Sequence, residues 1–279
     1  MAEPAAVLDE LDLDAGATRL DVRPLSGALG AEVRGIDVAS LDDDGFAVVH
    51  ALLMRYSAIA LHGQEHLTDA GLRDFGLRWG KLDIHGYSPT VPGFDDVLMI
   101  RSDPERPGTA EGWHSDVSWK VIPPKISMLH ARKVPSVGGD TLFCSQYRAY
   151  EDLSDAMKAF LEPLDAEHDG RNFNIEEIRR PATHPVVIRH PETGRKALYV
   201  NQGFTRRIAG LPRGESSAII GFLSEHCTRT RYQARVRYEP GTLAIWDNRC
   251  VQHSAVPDFG NEVRELHRVA VLCDERPSR

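Results

Sequence analysis

The stretch His184-Pro-Val-Val-Ile-Arg-His-Pro-Glu-Thr-Gly-Arg-Lys-Ala-Leu-Tyr-Val200 carries the clearest strand, turn and strand pattern in the sequence. Two apolar runs flank Pro191-Glu-Thr-Gly194, and Gly194 can adopt the positive φ that a tight turn requires. We therefore predict a β-hairpin with strands near Pro185–His190 and Lys196–Asn201.

Short strands extend in both directions from this hairpin. They are runs rich in apolar residues, bounded by Gly, Pro or Asp. The other predicted strands are 20–25, 31–36, 58–61, 97–101, 126–133, 140–143, 235–238, 242–247 and 267–273. Apolar residues that recur every three or four positions predict helices at 43–56, from a Thr68 cap to Gly80, and at about 215–227.

Many short strands with a few helices outside them predict a mainly β protein, a double-sheet jelly roll. Residues 1–18 are acidic and rich in Ala, so we expect a disordered tail there. No repeat or long linker divides the rest of the chain. Residues 19–279 are predicted to form a single domain.

The composition limits the partners of this protein. With 42% hydrophobic and 27% charged residues the chain fits a globular protein, and its formal charge is −8 with a pI near 5.8. That acidity argues against nucleic acid and anionic membranes, which call for a basic face. A small-molecule substrate is the expected partner, and the sequence leaves a homo-oligomer open.

Four scattered cysteines and the first residues of the chain bear on its location. Cys144, Cys227, Cys250 and Cys273 show no CxxC spacing, which fits buried reduced thiols better than disulfides. The sequence has neither an apolar run of membrane-spanning length nor the pattern of a signal peptide. We expect a cytoplasmic protein.

A possible metal site lies in Gly112-Trp-His-Ser-Asp116. Positions i and i+2 of an extended strand face the same side, so His114 and Asp116 can reach one metal. His253, which follows the apolar run ending at Asp247, is the candidate second histidine. Two histidines and one carboxylate are the ligand set of non-haem iron(II) oxygenases, since this set leaves positions open for an oxidisable cosubstrate and O₂.

Several motifs together resemble the taurine dioxygenase family, which includes phenoxyacetate and alkylsulfate oxygenases. The matching segments are Pro24–Asp37, Trp113–Val117, Pro135–Leu142, His184–Val187 with Leu198–Phe204, and Ala244–Arg249 with Gln252–His253. The resemblance implies a double-stranded β-helix of the cupin-like jelly-roll type. It also implies an enzyme that uses Fe(II), 2-oxoglutarate and O₂, with His114, Asp116 and His253 as its metal-binding and catalytic residues.

The resemblance also implies a cosubstrate site. The family's arginine, eleven residues beyond the distal histidine, falls on Arg264, and its threonine falls on Thr141. A planar guanidinium binds a carboxylate through two parallel hydrogen bonds, so Arg264 suits the C5 carboxylate of 2-oxoglutarate. The hydroxyl of Thr141 would add a donor.

On the substrate side the family's second arginine matches Arg268, and its substrate-binding histidine matches His85. Both suit an anionic group, such as that of a sulfonate, a carboxylate or amino acid, or a sulfate ester. Val117, Trp119 and Phe204 fall at further pocket positions, although core packing explains Trp119 and Phe204 equally well.

This sequence departs from the family pattern at several pocket positions. The pocket asparagine is Ala110 here, one phenylalanine aligns with Asn174, and another is replaced by Trp119. The segment 173–182, which would help to cover the substrate, is also shorter. These departures argue against taurine itself and for a pocket of different shape.

The expected activity is therefore oxidation of a small anionic substrate, in the first instance hydroxylation, with release of succinate and CO₂. Desaturation and epimerisation stay open, whereas halogenation is disfavoured because a halide needs the position that Asp116 fills. The alternative is a jelly-roll metal-binding module or a zinc hydrolase, since two histidines and an aspartate also suit zinc. Hydrolysis has no use for a 2-oxoglutarate clamp, so Arg264 and Thr141 discriminate against it.

Overall fold

The computed structural model of this protein describes residues 20–84, 86, 88–105, 112–170 and 181–279. The predicted tail at 1–18 and three residues of the predicted pocket, His85, Ala110 and Asn174, lie outside the described residues. Within those ranges no helix has both the length and the apolar character needed to cross a bilayer.

A large sheet forms the centre of the described chain. Across the sheet its strands are β1 (Asp21–Pro24), β2 (Ala31–Arg34), β3 (Ala58–Leu61), β13 (Leu243–Asp247), β5 (Pro124–Lys133), β15 (Arg264–Leu272) and β4 (Leu98–Ser102). The neighbours pair antiparallel except β2 and β3, which are parallel. Strands from the two ends of the chain are thus interleaved, as a jelly roll requires.

Smaller sheets form a second layer over this one. Their strands are β12 (Gln233–Val236), β6 (Thr141–Ser145) and β14 (Val251–Ala255); β11 (Thr205–Ile208), β7 (Asp165–His168) and β8 (Ala182–Pro185); and β9 (Val187–Arg189) with β10 (Lys196–Leu198). The predicted hairpin is confirmed: Val187 pairs with Leu198, and Gly194 has a φ of 69°. The predicted mainly β jelly roll is also confirmed.

The helices pack outside the two layers. They are α1 (Asp43–Tyr56), α2 (Asp69–Trp79), α3 (Gln146–Glu151), α4 (Asp155–Leu161) and α5 (Arg213–Cys227). Thr68 caps α2 as predicted, because its side chain accepts a hydrogen bond from the backbone N–H of Gly71. The apolar faces of α1 and α2 cover the outer side of the large sheet.

Alternation along β15 decides which of its side chains reach the space between the layers. Leu266 packs there among Phe143 and Trp246, whereas Val269 and Val271 pack toward the helices. Arg264 and Arg268 share the alternation of Leu266, and both are buried. Strand β15 therefore presents two arginines to the interior of the jelly roll.

Some elements differ from the sequence-based expectation. Strands β7, β8, β11 and β14 and helices α3 and α4 were not predicted, and the strand expected at 235–238 is β12, at Gln233–Val236. The sequence DAEH of β7 is polar yet half buried, and VQHSA of β14 is mostly buried although it contains polar residues, because side chains of both strands take part in interior hydrogen bonds. A hydrophobicity pattern does not detect strands of this kind.

Candidate active site

Two of the predicted metal ligands are joined through their backbones. The N–H of His114 donates to the carbonyl of His253 at 3.1 Å, and the N–H of His253 donates back to the carbonyl of His114 at 2.8 Å. His253 lies on β14, which is itself paired with β6. The two histidines are therefore placed side by side by the sheet, with ring centroids 4.2 Å apart.

Asp116 reaches the same point by a route that the sequence did not predict. The expected extended strand through 112–116 is wrong: pairing is limited to His114, and a turn begins at Asp116. The turn is closed by the hydrogen bond from the N–H of Lys120 to the carbonyl of Val117, and Val117 has a φ of 50°. Positive φ is unusual for a β-branched residue and marks a conformation that its surroundings enforce.

The three predicted ligands nevertheless converge. The Nε2 atoms of His114 and His253 each lie 3.8 Å from Oδ1 of Asp116, and one atom from each residue falls within a group less than 4.8 Å across. Nδ1 of His114 donates to the carbonyl of Gly112 at 2.8 Å, which leaves Nε2 unprotonated and free for a metal. The donor set and its geometry fit an iron(II) ion.

Burial prepares the ligands for a cation. It lowers the pKa of His253 to about 3, and the neighbouring His114 acts in the same direction, so the His253 ring is neutral. For Asp116 burial alone would raise the pKa, but the positive charge of Arg268 and the hydrogen bond from Ser127 contribute to lowering it below its usual value. The site thus offers two imidazole nitrogens and one carboxylate.

The predicted cosubstrate residues lie together at one end of β15. Arg264 is buried, and its Nε donates to the carbonyl of Gly139 at 2.6 Å. Its guanidinium also lies 5.4 Å from the ring of Tyr238, whose hydroxyl is 3.0 Å from Oγ1 of Thr141. No carboxylate among the described residues pairs with Arg264. The guanidinium is thus a buried cation with no direct ion pair among the described residues, and burial lowers the pKa of Arg264 although the nearby charge of Asp140 acts in the opposite direction.

Arg268 lies closer to the metal position. Its Nη2 is 2.9 Å from Oδ2 of Asp116, with both side chains about nine-tenths buried. The angle between them is not that of a hydrogen bond, and among the described residues neither Nε nor Nη2 of Arg268 has a hydrogen-bond acceptor. The contact with Asp116 is therefore a charge interaction, and the Nε and Nη2 groups of Arg268 are unused hydrogen-bond donors among the described residues.

Three apolar side chains, Val117, Trp119 and Phe204, form a small buried cluster beside the metal ligands. The rings of Trp119 and Phe204 meet edge to face at 4.4 Å, and Phe204 lies 5.8 Å from the ring of His114. The structure thus brings these predicted pocket residues to the site. His85 and the departures at Ala110 and Asn174 lie outside the described residues.

A second cluster, His190, Asp247 and Cys250, also has the spacing of a metal site. Its donors are already in use: both oxygens of Asp247 accept hydrogen bonds from Arg249, and Nε2 of His190 donates to Oδ2 at 2.9 Å. Burial raises the pKa of Cys250 to about 12, so the thiol stays protonated. This cluster is a buried ion-pair network.

Three residues that contact the site were not predicted from the sequence. Ser127 donates to Oδ2 of Asp116 at 2.6 Å, Asn248 accepts from the backbone N–H of Asp116 at 3.0 Å, and Tyr238 lies beside Arg264. A serine inside the apolar strand Ile126–Leu129 was a usable signal, since a buried hydroxyl needs a partner. Asn248 lies in the matched segment Ala244–Arg249, which was quoted together with Gln252–His253, but of these residues only His253 was predicted to belong to the site.

Known proteins of similar sequence belong to the family that the motifs indicate. A family model described as "Taurine catabolism dioxygenase TauD, TfdA family" matches residues 21–270. The chain is 34% identical to "Alkylsulfatase" of Acinetobacter baylyi, over 91% of this chain and 85% of that protein. It is also 34% identical to the "Alpha-ketoglutarate-dependent sulfate ester dioxygenase" of Pseudomonas putida, over 94% and 92% of the two chains.

A solved structure shows the same similarity in three dimensions. The crystal structure of a taurine dioxygenase from Burkholderia xenovorans superposes with a TM-score of 0.82 at 34% identity. The alignment covers 91% of this chain and 90% of that one. Both the strand-rich fold and the region that carries the site are therefore shared over nearly their full length.

Proposed function

This chain belongs to the taurine catabolism dioxygenase TauD, TfdA family, and from that premise we propose that His114, Asp116 and His253 hold its iron. As a member of the family it is a 2-oxoglutarate-dependent non-haem iron dioxygenase, which takes Fe(II), 2-oxoglutarate and O₂ and oxidises a small anionic organic substrate. The assignment of individual residues is our proposal.

The observation that carries the iron site is the convergence of the three ligand atoms, with Nε2 of His114 left free by the bond from Nδ1 to Gly112. Bound iron would supply the activation of O₂ that the protein's own groups cannot perform. His114, Asp116 and His253 would hold the metal through one ligand atom each and would leave other positions open for the cosubstrate and O₂. The protein contributes this placement and the exclusion of water.

We assign the C5 carboxylate of 2-oxoglutarate to Arg264 and Thr141. The support is the buried Arg264 guanidinium, which has no carboxylate partner among the described residues. A dicarboxylate would provide the missing counter-charge through a charge-assisted pair of hydrogen bonds. Tyr238 completes the site, because its ring and its bond to Thr141 fix both side chains.

Arg268 receives the anionic group of the substrate in this proposal, with His85 as a second candidate from the family pattern. The support is the pair of unused N–H groups of Arg268 beside the metal position. Val117, Trp119 and Phe204 supply an apolar wall for the remainder of the molecule. Sulfate esters are the first substrates to test, since two of the relatives at 34% identity, the alkylsulfatase and the sulfate ester dioxygenase, are named for sulfate-ester chemistry.

A hydroxyl placed on the carbon that carries a sulfate gives an unstable adduct, which collapses to an aldehyde and inorganic sulfate. Hydroxylation of such a substrate can thus be followed by sulfate release, and hydroxylation of a sulfonate at the carbon next to sulfur by sulfite release. Carboxylates and amino acids complete the panel. The rival zinc hydrolase would release sulfate with neither O₂ nor 2-oxoglutarate.

The decisive experiment combines spectroscopy with turnover. Anaerobic Fe(II) and 2-oxoglutarate should give a weak visible charge-transfer band that is lost in His114→Ala, Asp116→Ala and His253→Ala. The control is His66→Ala, an exposed histidine paired with Asp37, which should retain the band. With O₂ one member of the panel should stimulate succinate formation. A band that survives in all three ligand variants contradicts the iron site.

The setting of the enzyme is also part of the proposal. We propose that residues 19–279 act as a single catalytic domain, in the cytoplasm and with no nucleic-acid or membrane partner; self-association stays open. The support for a reducing location is that all four cysteines are free thiols and three of them are buried. The net charge of −8 supports the exclusion of polyanionic partners.

A further inference from the structure

The two oxygens of the Asp116 carboxylate have different surroundings. Oδ1 lies 3.8 Å from Nε2 of both histidines, at the proposed metal position. Oδ2 points away from them and lies 2.6 Å from Oγ of Ser127 and 2.9 Å from Nη2 of Arg268. Oδ1 is therefore the oxygen at the proposed metal position, while Oδ2 is engaged by Ser127 and Arg268.

A closed ring of hydrogen bonds maintains this division. Oγ of Ser127 donates to Oδ2 of Asp116 and accepts from Nδ2 of Asn248 at 2.9 Å. Oδ1 of Asn248 then accepts from the backbone N–H of Asp116 at 3.0 Å. Ser127, Asn248 and Asp116 are all buried, so water does not compete for these bonds.

The direction of each bond in the ring is fixed. Oδ1 of Asn248 accepts a second hydrogen bond, from Nε1 of Trp246 at 3.0 Å. A flipped amide would set its NH₂ group against two N–H donors, so only one orientation satisfies the site. Because Asn248 then donates to Ser127, the hydroxyl proton of Ser127 is directed to Asp116. The turn residue Asp116 is thus fastened to β5 through Ser127 and to the end of β13 through Asn248.

We propose that Ser127 and Asn248 are positioning residues that restrict Asp116 to binding the metal through one oxygen. Octahedral iron held by two histidines and one carboxylate oxygen keeps three positions, enough for a chelating keto acid and O₂. A carboxylate that bound through both oxygens would take one of these positions and compete with 2-oxoglutarate. This inference rests on the proposed iron site.

The test measures metal binding and 2-oxoglutarate binding separately. Ser127→Ala removes the hydroxyl with little change in volume, and Ser127→Cys replaces it with a weak donor of similar shape. The matched control is Ser115→Ala, because Ser115 is next to Asp116 and equally buried but donates to the carbonyl of Val251 instead. All three variants lose one buried hydroxyl.

In Ser127→Ala and Ser127→Cys we expect Fe(II) to bind as tightly as in the wild type or more tightly. The Kd of 2-oxoglutarate, read from the charge-transfer band under anaerobic conditions, should rise about tenfold, the scale of one charge-assisted hydrogen bond. Ser115→Ala should change neither. In structures of Mn(II)-loaded protein, Oδ2 of Asp116 should move into bonding distance of the metal in the Ser127 variants alone.

Weaker 2-oxoglutarate binding with unchanged or tighter Fe(II) binding separates positioning from simple loss of structure, which would weaken both. An unchanged 2-oxoglutarate affinity, or equal weakening of metal and 2-oxoglutarate binding, overturns the inference. A failure of the iron assignment itself is distinguishable, because His114→Ala would then leave the wild-type band unchanged.

Discussion

Replacement of Arg264 by methionine separates the function of this residue from its contribution to folding. Methionine is similar in length but has neither charge nor N–H groups. The loss of a two-pronged, charge-assisted contact with the C5 carboxylate costs about 1.5 to 3 kcal/mol. At 1.4 kcal/mol per tenfold, the Kd of 2-oxoglutarate should rise about 10- to 150-fold. Arg264→Lys keeps the charge but not the two parallel hydrogen bonds, so its Kd for 2-oxoglutarate should lie between those of the wild type and Arg264→Met.

The stability of the ligand-free protein should respond in the opposite sense. The guanidinium of Arg264 is buried, and the nearby charge of Asp140 does not outweigh the effect of burial, so we expect it to destabilise the fold when 2-oxoglutarate is absent. Arg264→Met removes that charge and gives up the hydrogen bond to Gly139, worth about 1 kcal/mol. We expect the free energy of unfolding to be unchanged or higher, while added 2-oxoglutarate no longer stabilises the protein.

Two measurements suffice: anaerobic titration of 2-oxoglutarate into the Fe(II)-loaded protein, and urea unfolding with and without 2-oxoglutarate. Arg132→Met is the control, because Arg132 reaches Asp69 and the carbonyl of Leu67 on the helix side of the same sheet. It should lose stability and keep its affinity for 2-oxoglutarate. Wild-type affinity in Arg264→Met, or a loss of stability equal to that of the control, would refute the reasoning.

Three other changes test the rest of the site. Arg268→Ala should raise the substrate requirement and uncouple O₂ consumption from product formation while 2-oxoglutarate binds nearly as before in the absence of substrate; equal loss of both ligands would contradict the separate roles of the two arginines. Phe204→Ala should shift the preferred substrate toward bulkier chains, as measured with a substrate panel, and should change the charge-transfer band little. An unchanged substrate preference would show that Phe204 serves only in core packing. Burial lowers the pKa of His168 to about 3, whereas the pKa in the unfolded chain is about 6.5. Between these two values only the unfolded chain binds the proton, so the free energy of unfolding decreases as the pH falls below about 6.5. Between pH 7 and 5 the wild type should lose about 2 kcal/mol more than His168→Asn in urea unfolding, and parallel losses would show that His168 is not the group responsible.

The sequence predicted those features that repeat at regular spacing. The hairpin around Gly194 and the helices α1 and α2 follow from periodic apolar residues and a capping threonine, and all three are present. The candidate ligands were predicted from their residue types and their order in the sequence, and the structure brings them together. Their separation along the chain is no obstacle, because the jelly roll places distant segments side by side.

The features that the sequence did not predict depend on contacts between distant segments. The turn at Asp116 is held in place because Ser127 on β5 binds the side chain of that residue and Asn248, just after β13, binds its backbone. The left-handed Val117 is contrary to the local preference of valine, so no local rule indicates it. The sequence of β14 taken alone is polar, since its buried side chains include Gln252 and His253.

The reciprocal backbone bonds between His114 and His253 have a consequence for the lifetime of the enzyme. These bonds belong to the fold, so the spacing of the two ligands does not depend on the presence of a metal. We therefore expect an enzyme that loses its iron after accidental oxidation to stay folded, with the two histidines still side by side. Added ferrous iron should then restore its activity without new synthesis of the chain.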